Sequence, residues 1–120
     1  MPASIIPLKQ GMSATLQVRY MDADRNLLDL SSGYTARMQL RSSASQDFVD
    51  ELTTENSRIT CLDGADNYNI KLTWTTAEAA ALPVRKSSKA RYLADLELIT
   101  AGEVIDSIRF VFEVTEEMTK

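Results

Sequence analysis

The chain has 120 residues, close to the commonest size of one domain, with 44% hydrophobic and 25% charged residues. Thirteen basic against seventeen acidic residues give a formal charge of −4, which disfavours nonspecific attraction to nucleic acid, and the absence of histidine together with a lone Cys61 excludes an internal disulfide, the usual zinc sites, and Ser-His-Asp or Cys-His nucleophilic centres. No apolar run approaches the roughly 20 residues that cross a bilayer, and MPASIIPLKQG lacks the basic-then-apolar layout of a secretory signal, so the expectation is one soluble domain made in the cytoplasm, without membrane or nucleic-acid partners and without a cofactor.

Taken in chain order, residues 1–12 read as an arm in which apolar Ile5, Ile6 and Leu8 lie beside Pro2 and Pro7, prolines that resist central-strand pairing; a partner could exchange such a segment, or it could form a local edge strand. Ala14, Leu16, Val18 and Tyr20 alternate with Thr15, Gln17 and Arg19, the period of two that marks a strand with one face buried. Asp22 to Asn26 reads as a turn, and Leu27 to Leu30 as a brief extended piece before the Ser31-Ser32-Gly33 loop. Tyr34 to Arg41 alternates again, with Ala36, Met38 and Leu40 on the apolar side. Phe48–Thr54 and Arg58–Leu62 are further strands, Ile59 and Cys61 sharing a face. Asp63, Gly64, Ala65, Asp66 and Asn67 predict a tight hairpin.

Residues 69 to 99 are the most legible stretch. Ile70, Leu72 and Trp74 point one way and Asn69, Lys71 and Thr73 the other; Thr75 and Glu78 then have the spacing of a capping box, so Ala77–Leu82 should be helical until Pro83 stops it. Arg85, Lys86, Lys89 and Arg91 cluster around Ser87 and Ser88, and read as a solvated loop, since a nucleic-acid platform would interleave aromatics. Arg91–Ile99 resumes the strand period with Tyr92, Ala94, Leu96 and Leu98 on one side. Ala101-Gly102 marks a turn, Val104–Thr115 is the longest strand, with Ile108, Phe110, Phe112 and Val114 inward, and residues 116–120 form a tail.

Seven or eight short strands with one short helix predict an all-β, immunoglobulin-like two-sheet antiparallel sandwich covering residues 1–120, because a βαβ arrangement would need longer helices. Trp74 is then a core aromatic. The paired acids Asp22 with Asp24, Asp63 with Asp66 and Glu116 with Glu117 fall in turns or the tail, where solvated carboxylates are normal, so no catalytic residue is assigned. A calcium loop starting at Asp63 would need a glutamate where Trp74 stands. The four glycines are scattered singly and make no phosphate loop.

Gly11 with the first strand, Leu28-Asp29-Leu30, Tyr34 to Arg41, Ile70 to Glu78, Arg91 to Leu98 and the closing Val114-Thr115 together resemble small sandwich proteins of tailed bacteriophages and prophages, among them the N-terminal domains of phage baseplate upper proteins. The resemblance covers roughly residues 10 to 115. It implies a non-enzymatic virion structural role in a tail, baseplate or neck, with other virion proteins and further copies of the chain as partners. Open sandwiches leave strand edges that can accept a partner's strand, and Ile5, Ile6 and Leu8 would be the exchanged residues. The competing class is a carbohydrate-binding or adhesive sandwich using exposed aromatics. Trp74, Tyr34 and Tyr92 fall on predicted core faces, which leaves Tyr20 and Tyr68, the latter beside the Asp63–Asn67 turn.

Overall fold

A computed structural model of the chain describes residues 5–43, 45–82 and 89–115. In chain order these form strands β1 (Ile5–Lys9), β2 (Ala14–Val18), β3 (Tyr34–Ser42), β4 (Phe48–Thr53), β5 (Ile59–Cys61) and β6 (Ile70–Trp74), helix α1 (Thr76–Ala80), and strands β7 (Lys89–Thr100) and β8 (Glu103–Thr115). Two sheets result, one of five strands in the order β1-β8-β7-β3-β4 and one of three in the order β2-β6-β5. Neighbours are antiparallel except β1, which runs parallel to β8. A second, a sixth and a fifth strand facing the eighth, seventh, third and fourth is the strand order of an immunoglobulin-like sandwich.

The core lies where the two-residue periods of the sheets meet. Ala36, Met38 and Leu40 of β3, Ile70, Leu72 and Trp74 of β6, and Tyr92, Ala94, Leu96 and Leu98 of β7 are all buried. Trp74 crosses the sandwich to meet Phe112 of β8 edge to face, at 5.4 Å between ring centroids and 66° between planes. Antibody domains tie their sheets with a disulfide packed on a tryptophan of the third strand. Here β3 has no tryptophan, Cys61 is a free thiol on β5, and the aromatic pair fills the inter-sheet space instead.

Helix α1 starts as its spacing predicts. The Thr75 hydroxyl accepts from the Glu78 amide at 3.1 Å, and the Thr75 amide donates to the Glu78 carboxylate at 2.8 Å. The helix ends at Ala80, two residues before the expected boundary, and Leu82 is buried beyond it. Pro83, the basic cluster from Arg85 to Ser88, the Pro2 end of the expected arm and the 116–120 tail lie outside the described residues.

Three expectations need correction. The β5–β6 connection is an eight-residue segment rather than a tight hairpin: Leu62 donates to the Asn69 carbonyl at 2.8 Å, and the six residues inside that bond turn through Asn67 donating to Gly64 at 3.0 Å. Gly64 has φ +92°, and a Cβ there would lie 3.3 Å from the Leu27 Cβ, so the loop is wide because it wraps the 27–30 segment. Asn69, assigned to the solvent side, is wholly buried. Finally, Ile108 and Phe110 face inward and pack against the core but are only half-buried, although their β7 partners Leu96 and Ala94 are buried. The reason is that among the described residues β1 pairs with β8 only from Val111 onward, so this stretch of β8 lies at the sheet edge.

Candidate functional site

Docking at a strand edge requires unpaired backbone groups, and both edges of the five-stranded sheet carry features that limit it. On β1, Gln10 donates to the Thr115 carbonyl at 2.9 Å. Alternate residues of the strand therefore bond to β8, and Pro7, which has no amide proton, faces the open edge. On β4 the outward groups are satisfied by side chains. The Glu51 amide donates to Asp50, the Thr53 amide donates to Asn56, and the Glu51 carbonyl accepts from both Asn56 and Arg58, at 2.9 to 3.1 Å.

Arg58 organises that second edge. Its guanidinium donates twice to the Asp50 carboxylate, both bonds at 2.8 Å, and its Nε lies 3.1 Å from a Glu78 oxygen, an ion-pair contact not aligned as a hydrogen bond. Burial alone would lower the pKa of Arg58, but the Asp50 and Glu78 carboxylates outweigh it and hold the guanidinium charged. Arg58→Met keeps the aliphatic stem and strands Asp50, whose side chain is about one-fifth exposed. The expected cost is about 2 kcal/mol, below that of a fully buried pair because water still reaches the acid, with the urea midpoint as the measure. A midpoint within error of the wild type would mean that the cluster adds nothing to stability.

The outer face of the same sheet is organised in rows. Register places Ile5, Val111, Leu93, Arg41 and Phe48 directly opposite one another across β1, β8, β7, β3 and β4. Directly paired residues project to the same side of a sheet, and the inward partners Phe112 and Tyr92 are buried, so this row faces out. Four of its five members are apolar. Ile5 is 49% and Phe48 53% exposed, and the Arg41 guanidinium lies 6.0 Å from the Phe48 ring centroid.

Polar rows flank this strip. On one side Glu51, Gln39, Asp95 and Arg109 form the next row, and Thr53, Arg37, Glu97 and Ser107 the one beyond. Arg109 binds Asp95 through two bonds of 2.9 Å, Arg37 binds Glu97 at 2.6 Å, and Arg41 donates to Gln39 at 2.9 Å. The Arg109 hydrogen bonds hold the Asp95 carboxyl below the usual carboxylate range. On the other side Arg91 pairs with Glu113 at 3.2 Å, with Pro7 opposite Glu113. Arg37, Arg41, Leu93, Asp95 and Arg109 line a shallow depression of about 290 Å³.

The residues singled out from the sequence scatter. Ile5 joins the outer strip, Ile6 is half-buried, and Leu8 is buried against the core opposite Val114 of the same chain, so Leu8 is not a surface group. Tyr68 is half-buried. Of the other aromatics weighed for sugar binding, Trp74 and Tyr92 are buried, and the Tyr20 hydroxyl donates to Asp106 at 2.9 Å. The strip residues Leu93, Val111 and Phe48 were not anticipated. Their signal was present: Leu93 stands between Arg91 and Asp95, and Val111 between Arg109 and Glu113, both apolar on the polar phase of their strands. Among the described residues no cluster of acids and cysteine has metal-ligand geometry, and burial raises the pKa of the Cys61 thiol, away from the reactive thiolate.

No protein-family model matches the chain, and no curated protein does. Among solved structures it is similar to the NK cell receptor NKp44, with 18% identity over 96% of this chain and 100% of that one and a TM-score of 0.49. It is also similar to murine CRIg, with 10% identity over 94% and 92% of the two chains and a TM-score of 0.41. The fold assignment rests on the strand order itself.

Proposed function

We propose that this chain is a non-enzymatic assembly subunit that binds protein through the outer face of its five-stranded sheet, and that the assembly, following the resemblance to sandwich proteins of tailed phages and prophages, is a virion tail, baseplate or neck. The observation that supports docking is the Ile5–Val111–Leu93–Phe48 strip. It crosses the sheet in one row, apolar except for Arg41 between Leu93 and Phe48, and is bordered by charged rows, which is the anatomy of a binding patch rather than of scattered surface hydrophobes. With Pro7 on one edge of that sheet and side-chain partners along the other, face contact is favoured over strand addition at this sheet.

Particles purified from a culture producing the encoding phage test the reading. The chain should co-sediment with them at fixed stoichiometry by mass spectrometry, and Leu93→Asp, folded by circular dichroism, should be depleted from particles at least about tenfold, since a charge at the strip's centre would be desolvated on docking. Particles that lack the wild-type chain would refute the virion assignment.

A further inference from the structure

The reading of this face as a docking surface leaves its occupant unnamed, and on that reading we propose that the occupant is a second copy of this chain, turned over about a two-fold axis that runs parallel to the strands between β7 and β8. At the centre of the strip Leu93 lies opposite Val111, and four charges surround the pair. Arg91 and Asp95 flank Leu93 on β7; Glu113 and Arg109 flank Val111 on β8, so the signs alternate around the square. An alternating square turned face down presents minus to plus at every corner. Stacking two copies about this axis sets Leu93 over the second copy's Val111, Arg91 over its Glu113 and Asp95 over its Arg109, and the symmetry repeats each match. Arg91 and Arg109 can reach across to a second carboxylate, their side chains being 54% and 56% exposed within the existing pairs, and the acids that would receive them are Asp95, 45% exposed, and Glu113, 19% exposed.

The axis is chosen by Arg41. An in-plane axis running across the strands would match the same four corners but would set Arg41 on its own copy. The axis along the strands sets it over Ile5 instead. Four corner charges that cancel call for no strongly acidic or basic partner, which argues for self-complementarity over a foreign surface. The size is modest. Under this axis β1, β8, β7 and β3 overlap and β4 lies outside, so four strands and four outward rows span at most about 520 Å² per copy from strand spacing and rise alone, about 1,000 Å² in total and the low end for a specific interface, and aligned sheets stack about 10 Å apart, within reach of arginine.

Sedimentation velocity of the full chain from about 1 to 500 µM is the test, a range set by the modest size of the interface. The wild type should move from 13.4 kDa towards twice that mass, and Leu93→Asp should stay monomeric while keeping the wild-type circular dichroism spectrum. Glu113→Arg places like charges together and should weaken association about tenfold, whereas Arg91→Glu with Glu113→Arg should recover most of it. Recovery is specific to this axis, because about the transverse one Arg91→Glu would set a carboxylate against Asp95. A wild type monomeric throughout, a dimer indifferent to Leu93→Asp, or a double variant no tighter than Glu113→Arg overturns the proposal. A monomeric chain that still enters particles removes the second copy and leaves the assembly role standing; a dimer absent from particles does the reverse.

Discussion

Replacing Trp74 with alanine is expected to remove about 3–5 kcal/mol of folding free energy, a large share of the 5–15 kcal/mol typical of a domain. Trp74 is 1% exposed at the end of β6 and is the side chain that spans the two sheets, edge-on to Phe112. No disulfide shares that duty, since Cys61 is the only cysteine. The cavity left by alanine would be bounded by Phe112 of β8, a strand held on both sides by backbone bonds to β1 and β7 and poorly able to collapse into it. Trp74→Phe separates packing from polarity. The indole Nε1 is buried and finds no acceptor among the described residues, so phenylalanine removes an orphaned donor while keeping most of the ring. The two effects oppose one another, and Trp74→Phe should fall within about 1.5 kcal/mol of the wild type. Urea unfolding followed by far-ultraviolet circular dichroism reads both variants. Equal losses in alanine and phenylalanine would show that the indole is held by something other than packing.

The two-residue period made most strands legible, because each sheet has one buried face and a strand with one buried face must alternate. Ala36, Met38 and Leu40 in β3 and Tyr92, Ala94, Leu96 and Leu98 in β7 sit inward as their phase requires. The capping box was equally plain, since Thr75 and Glu78 meet across a single turn. What was not legible is pairing between segments far apart in sequence. Ile5, Phe48, Leu93 and Val111 are unremarkable where they stand, and only the register of five strands, including the parallel match of β1 with β8, aligns them into one strip. The parallel pairing also explains Leu8. As an arm residue it looked free, but Lys9 sits opposite Thr115, which turns Leu8 onto the core beside Val114.

Asn69 is the buried residue whose polarity misled the sequence reading, and its replacement carries the second large effect. Its carboxamide acts as a piece of backbone. Oδ1 accepts from the Tyr20 amide at 2.7 Å, and Nδ2 donates to the Tyr20 carbonyl at 2.7 Å and to the Leu28 carbonyl at 2.9 Å. Its own amide donates to Val18 and its carbonyl accepts from Leu62, so one residue ties the end of β2, the 27–30 segment and the end of β5 together. Asn69→Leu keeps the branched shape of the side chain with added bulk and orphans the Tyr20 amide and the Leu28 carbonyl, at about 1–3 kcal/mol for each buried group, so a loss of about 3–4 kcal/mol is expected. Asn69→Asp adds a pH signature. A buried aspartate with no cation beside it has its folded-state pKa raised above the unfolded value near 3.9, so the acid is tolerated when protonated and penalised when charged. Relative to the wild type, the Asn69→Asp deficit should therefore be smallest below about pH 4 and should grow as pH rises through the elevated folded-state pKa. Urea midpoints of both proteins at pH 4 and pH 7 measure it. A deficit that shrinks towards neutrality would mean that the carboxylate finds a donor network there, and that the carboxamide's two donated bonds are not what holds the three segments together.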